Sequence, residues 1–348
     1  MTHKKFDKLL LIGSTINPVH VKNYFYLIKD HFNEIEIVGS HEIDFCKHHL
    51  INFQVSNPIK LIGNILRLRK IIKTYNPTFI HVHQANSIGF ITSLANKKRF
   101  PQVLTTWGDD VLIFPKKNFF FRLLTKTSIK YSDALTADAE IMGTAIAEFT
   151  GRKDTVIANF GIDFDFSKLL PKENIIYSNR LHDPLYNIDK IIEGTIPFLE
   201  KNPSWILVVA ATGILTNKLI EIANKSNVKE QIKFVGFLNR KENTNYYLRS
   251  RIYISIPNTD GTSISLLESM AYGTIPVVSN LPANKEWIVS KDNGIVVDSV
   301  SIFEALNSAI ELDEEIVREK NKEIINQKAT KSVNREKFLS IYSKLLND

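Results

Sequence analysis

The chain has 348 residues, enough for two domains of ordinary size, and with 44% hydrophobic and 23% charged residues it is globular and not a disordered polymer. No apolar run approaches the roughly 20 residues that cross a bilayer, the first residues lack the apolar region of a secretory signal, and the single cysteine, Cys46, excludes an internal disulfide or a thiolate zinc cluster. The net charge of +7 is uneven, with 21 Lys/Arg against 15 Asp/Glu in residues 1–165 and 23 against 22 in the rest, so the first half suits an anionic neighbour.

Short β-branched runs alternate with amphipathic stretches from end to end. The expected strands of the first half are 8–14, 34–40, 79–83, 102–107 and 155–159. The first ends at Gly13, where a missing side chain lets the backbone approach a ligand. Residues 59–75 follow as an amphipathic helix. The strand at 79–83 puts His81 and His83 on the same side of the pleat, with His83 at the carboxyl end. A metal there would need a third ligand that the local sequence does not supply, and His81 reads as a core residue. Trp107-Gly-Asp-Asp-Val111 comes after another strand, and Asp110 serves there either an acceptor molecule or the cap of the next turn. Residues 118–130 join bulky apolar residues to Arg122, Lys126 and Lys130, after Lys116 and Lys117. An interfacial helix on an anionic membrane and a buried helix with a basic outer face share that pattern. Nothing resembles a nucleic-acid motif, and no aromatic residues interleave with the basic ones along a strand, so no nucleic-acid partner is expected.

The alternation breaks at 159–171, where a strand ends near Gly161 and the chain runs irregularly to Pro171. This places a first domain at 1–160, a linker at 161–171, a second domain at 172–325 and a C-terminal helix at 326–348 free to pack on either domain. The linker carries Asp163-Phe-Asp165, an Asp-x-Asp pattern that here reads as structural and not as a metal site. The strands of the second half are 174–178, 205–211, 232–236, 252–256, 275–279 and 294–298, with a helix at 188–201. Strand–helix alternation implies an α/β protein with two parallel sheets covered by helices, and ligands bound outside the carboxyl ends of the strands, in the cleft expected between the domains.

The most informative stretch is 255–279. A strand ends at Pro257, a polar loop holds Asp260, Gly261, Thr262 and Ser263, a helix begins near Ile264 and stops at Gly273, and Pro276 opens the next strand. A loop feeding a helix N-terminus aims free N–H groups and the positive end of the helix dipole at one spot, which suits an anion. Asp260 stands at the mouth of the loop and Glu268 one turn inside the helix, where carboxylates accept hydrogen bonds from vicinal hydroxyls.

This segment resembles the donor-binding motif of the retaining family 4 glycosyltransferases, in which an acidic residue, seven residues and a glutamate precede a small-residue helix and a Gly-x-Pro-Val-Val strand. The likeness continues through Asn284-Lys-Glu-Trp-Ile288 and Asn293-Gly294, as in bacterial polysaccharide enzymes. Asp260 stands where most members carry a glutamate. The resemblance implies the GT-B fold, two Rossmann-like domains facing across a cleft, and transfer of a sugar from a nucleotide-sugar donor with retention and without a metal or other cofactor. It implies that Arg180 holds the donor diphosphate; six positions on, where the family has a lysine, this chain has Tyr186, whose phenol can donate to phosphate, with Lys190 nearby. The missing charge leaves the donor open among UDP-, GDP- and CMP-linked sugars. It implies further that His83 lies beside the donor sugar, that the backbone of Gly236 and Phe237 in Phe234-Val-Gly-Phe-Leu238 reads the nucleobase, and that Gly13 approaches the donor.

The expected acceptor is a carbohydrate or lipid-linked saccharide of a bacterial surface glycan such as capsule, lipopolysaccharide or exopolysaccharide. The expected location is cytoplasmic, peripheral on the inner face of the membrane. Rival readings are a sugar-nucleotide 2-epimerase and a catalytically silent subunit that binds a partner enzyme.

Overall fold

The computed structural model describes residues 5–164, 170–298 and 301–347. The chain divides into two units, residues 1–160 with 331–348, and residues 161–330.

The first unit contains β1 (Phe6–Ile12), α1 (Val19–Ile28), β2 (Phe32–Gly39), β3 (His48–Leu50), α2 (Pro58–Tyr75), β4 (Phe79–His83), α3 (Ser87–Asn96), β5 (Gln102–Thr105), α4 (Asp109–Leu112), α5 (Phe114–Lys117), α6 (Phe119–Tyr131), β6 (Ala134–Ala137), α7 (Glu140–Thr150) and β7 (Thr155–Ile157). All strands pair in parallel in the order β3-β2-β1-β4-β5-β6-β7. Leu9 to Ile12 of β1 and all of β4 are buried, as a central parallel strand covered on both faces requires.

The second unit contains β8 (Glu173–Ser178), α8 (Ile188–Lys201), β9 (Ile206–Ala210), α9 (Thr216–Asn224), β10 (Ile232–Gly236), α10 (Arg240–Arg249), β11 (Ser250–Ser255), α11 (Ile264–Ala271), β12 (Ile275–Ser279), α12 (Pro282–Lys285), β13 (Ile295–Val297), α13 (Ile302–Ile310) and α14 (Glu314–Lys328). Its sheet is also parallel, in the order β10-β9-β8-β11-β12-β13. The last helix, α15 (Lys331–Asn347), belongs to the first unit, where Phe338 and Tyr342 enter the core with Leu9, Tyr24 and Phe79.

In each sheet the strand order reverses once, between β1 and β4 and between β8 and β11. Such a reversal opens a crevice at the carboxyl ends of the two strands, because the connections leave in opposite directions. Gly13 and the end of β4 flank the first reversal, and Arg180 and the 256–263 loop flank the second. No described helix is long and apolar enough to cross a membrane.

Candidate functional site

In the second unit, β8 delivers Asn179 and Arg180 to the switch point. Asn179 is fixed on several sides: its amide donates to Asn243 at 2.9 Å and to the Tyr247 hydroxyl at 2.8 Å, and it accepts from the Tyr253 hydroxyl at 3.2 Å. The next residue is thereby aimed. The Arg180 guanidinium lies 2.8 Å from the Asp260 carboxylate and 2.5 Å from the Ser263 hydroxyl, and it stacks on the Tyr186 ring with 4.3 Å between charge centre and ring centre. Burial works against its charge, but Asp260, Tyr253 and Tyr186 outweigh it and raise the guanidinium above the usual arginine range. Tyr186 therefore gives its face to Arg180, while Lys190, on α8, is exposed.

The loops after β8 and β11 are tied together. Asn187, in the left-handed region at φ 52°, donates to Ile256 O at 2.8 Å and to the Asn258 side chain at 2.9 Å, and the Asn258 N–H returns to Leu185 O. On the other flank the Trp287 indole donates to the Thr262 hydroxyl at 3.3 Å, and Asn293 holds Trp287 O at 2.9 Å. The 284–294 stretch is thus the brace of the 260–263 loop.

Ser263 occupies the N-cap of α11, yet its side chain makes no cap bond; its hydroxyl takes the Arg180 bond instead. Leu266 N–H is the first in the helix to reach Ser263 O. The N–H groups of Ile264 and Ser265 at the start of α11 have no partner within the helix. Together they and Arg180 form a cationic corner at the helix start. One turn in, burial pushes the Glu268 carboxyl up to about 7, against the pull of Arg240 and the Tyr247 hydroxyl.

Gly236 ends β10 at φ 70° and Phe237 is exposed; the Ala211 N–H donates to Gly236 O at 2.7 Å. They stand two strands from β8, on the carboxyl side of the sheet.

In the first unit, β4 carries two histidines with different fates. His81 is fully bonded, Nδ1 to the Tyr342 hydroxyl at 2.6 Å and Nε2 to Thr105 at 2.7 Å, in a chain that runs on to Tyr24 and Thr136. His83 is equally buried, but neither ring nitrogen has a hydrogen-bond partner among the described residues. Its ring lies among His81, Trp107, Phe160 and Tyr24, at centroid distances between 4.9 and 6.2 Å. Burial, aided by His20, drives its imidazole down to about 3, so the ring is neutral.

Gly13 has a packing reason that sequence reasoning missed: a Cβ there would come within 2.6 Å of Val21 and 3.3 Å of His83. Asp110 is buried and both its oxygens are spent on backbone, accepting from Ala85 N–H at 2.7 Å and Trp107 N–H at 2.9 Å. Burial lifts its carboxyl to about 6 despite those bonds. It resolves as the clamp between the loop after His83 and the Trp107 loop, and does not reach out to an acceptor. Beside them, at the carboxyl ends of β1, β2 and β4, a cavity of about 390 Å³ is lined by Ser14, Asn52, Gln54, Gln84, Asn86 and neighbours, with no Lys, Arg, Asp or Glu. Gln84, directly after His83, holds φ 83°, a strained value for a residue with a side chain.

No group of three metal-ligating side chains occurs among the described residues; Asp165 of the Asp-x-Asp pattern and residues 166–169 of the expected linker lie outside them.

The family described as glycosyl transferases group 1 matches residues 162–331, and glycosyl transferase 4-like matches residues 8–139. An uncharacterized glycosyltransferase of Haemophilus influenzae is 25% identical over 195 residues, 54% of this chain and 55% of that one. The match spans about half the length of three such relatives and 32% of a fourth. Among solved structures, a glycosyltransferase from Rickettsia africae superposes with a TM-score of 0.81 at 15% identity, over 99% of this chain and 100% of that one. Anabaena HepE in complex with UDP does so with a TM-score of 0.82 at 13% identity, over 97% and 100%. These likenesses show the GT-B glycosyltransferase fold, with its two parallel sheets.

Proposed function

Because the chain belongs to the group 1, GT4-like glycosyl transferases, we propose that it moves a sugar, with retention, from a nucleotide-sugar donor bound by the second unit to a carbohydrate or lipid-linked acceptor. The observation that carries this reading is the Arg180 guanidinium held at the start of α11 by Asp260, Ser263 and the Tyr186 ring.

A guanidinium has five N–H donors, and the bonds to Asp260 and Ser263 leave others for a phosphate. As the bond to the sugar breaks, negative charge grows on the departing phosphate. Arg180 and the N–H groups at residues 261–264 meet it where it forms, which is the electrostatic service a cation supplies elsewhere. Phosphate competes with Asp260 for Arg180, which releases the carboxylate to sugar hydroxyls. Glu268 takes the ribose, and the base lies over Gly236 and Phe237. His83, neutral and unpaired within its own unit, orients the transferred sugar through one ring nitrogen. The acceptor proton passes to the departing phosphate oxygen on the same face.

The amide- and hydroxyl-lined cavity beside His83 suits an uncharged polyol. Among donors UDP-sugars come first, since HepE, a structural neighbour, binds UDP. The setting we propose is bacterial surface-glycan synthesis, supported by the likeness of residues 284–294 to polysaccharide enzymes.

Calorimetry with UDP, GDP and CMP, followed by a transfer assay with the preferred sugar nucleotide, tests the reading. Tight UDP binding that weakens at least tenfold in Arg180→Ala supports it. Nucleotide binding unchanged by that substitution overturns it, and donor isomerised without acceptor points to an epimerase instead.

A further inference from the structure

A second surface, on the first unit, carries chemistry that sugar transfer does not use. Residues 45–132 contain fourteen lysines and arginines and two acids, Asp109 and Asp110, the latter buried. This stretch supplies α2, α3 and α6, and α3 packs between the other two. Neither α2 nor α6 contains an acidic residue.

The outward faces of α2 and α6 are not polar. On α2, Leu68, Ile72 and Tyr75 point inward, while Ile59, Ile62 and Leu66, at i, i+3 and i+7, are 83%, 60% and 54% exposed. On α6, Leu124 and Ile129 are buried, and Phe119, 80% exposed, is joined by Phe120 and Leu123. Exposed lysines continue both ridges, Lys70 and Lys73 on α2 and Lys126 and Lys130 on α6. A helix that merely covers a core turns its apolar residues inward and its polar residues out. Here each helix has a buried apolar stripe and a second, exposed one.

Both helices return between parallel strands, so each runs antiparallel to the sheet. Their first turns stand at the carboxyl end of the strands, the end where the uncharged cavity opens. The apolar side chains gather at that end, with the exposed Lys60, Lys116, Lys117 and Arg122 among them and the other cations behind them.

We propose that the α2–α3–α6 face docks on an anionic lipid bilayer, with Ile59, Ile62 and Leu66 and Phe119, Phe120 and Leu123 entering the head-group boundary and Arg67, Lys70, Lys73, Lys126 and Lys130 meeting lipid phosphates. Two ridges of aliphatic and aromatic side chains bordered by lysines and arginines match an interface that is apolar below and anionic above. A nucleic acid would use the cations but gain nothing from Ile59, Ile62 and Leu66, which have no planar face on which a base stacks.

The test is co-sedimentation of the full chain with phosphatidylcholine vesicles, with and without about one-third phosphatidylglycerol. The expected result is at least tenfold stronger partitioning to the anionic vesicles, weakening as salt rises. The paired substitutions Leu66→Ser and Phe119→Ser should lower it about tenfold, with the melting temperature and nucleotide binding unchanged. Equal partitioning to both vesicles, no sedimentation, or a double variant that partitions like the parent would each overturn the proposal; the last would mean simple attraction to any polyanion. The measurement needs no substrate, so its failure leaves the transfer reading untouched.

Discussion

His81 and His83 sit two residues apart on one strand, point to the same side and are equally buried, yet they do opposite things with their polar atoms. His81 spends both nitrogens on Tyr342 and Thr105 and is part of the fold. His83 spends neither. A buried polar group without a partner costs about 1–3 kcal/mol, and a strand end at a topological switch point is where such a cost is tolerated for a ligand. The same contrast separates Asp110, with both oxygens on backbone N–H groups, from Asp260, which is paired with the Arg180 side chain.

The largest expected effect breaks or upholds this contrast directly. His81→Leu should destabilise the first unit by about 2–4 kcal/mol, because two buried bonds are lost at once. His83→Leu should keep stability or raise it by up to about 1–3 kcal/mol, as the unpaired nitrogens are removed, and lower kcat at least tenfold. Chemical denaturation and a transfer assay on the same two variants decide it, and equal losses of stability would erase the distinction. Arg180→Ala comes next and should weaken nucleotide binding by about 1.5–3 kcal/mol, roughly ten- to hundredfold by calorimetry, with the fold intact. Asp260→Asn should keep nucleotide affinity, or raise it, since the internal competitor for Arg180 is weakened. Its turnover should fall at least tenfold, about 1.4 kcal/mol.

The smallest effect is a pH dependence. Glu268, lifted from an ordinary 4.5 to about 7, holds its proton more tightly in the fold than in the unfolded chain. Its contribution to stability is therefore complete below about pH 4.5 and is lost as pH rises through 7. Glu268→Gln never ionises, so thermal melts should show it matching the parent near pH 4.5 and gaining on it as pH rises to 8, while turnover drops. A gain at low pH instead would contradict the assigned sign.

Much of this was legible locally. The strands at 79–83, 232–236 and 275–279 and the helix at 188–201 appear at the residues expected, because apolar runs bounded by Gly, Pro or polar turns carry their own signal. Two strands were missed, His48–Leu50 and Ala134–Ala137. Between them they hold one β-branched residue, Thr136, too few to mark a strand; both are strands because β2 and β5 offer open edges to pair with, which is a long-range cause. At the site, the acid–helix–strand pattern exposes Asp260 and Glu268, since its spacing is local. That Tyr186 lies under Arg180, or that Trp287 braces Thr262, depends on loops meeting from separate strands. Gly13 read as an opening toward a ligand, but the crowding by Val21 and His83 arises only once β1 and β4 are neighbours.

Helix α15 has a consequence for how the protein is made. Domains usually finish folding in the order they leave the ribosome. Here Tyr342, the hydroxyl that satisfies both His81 and Tyr24, is translated only after the whole of residues 161–330. At about 5–20 residues per second, β1 to β7 wait on the order of 10 to 40 s for their last core side chains. The domain begun first is completed last, and until then its unfinished core is the part of the nascent chain most in need of a chaperone.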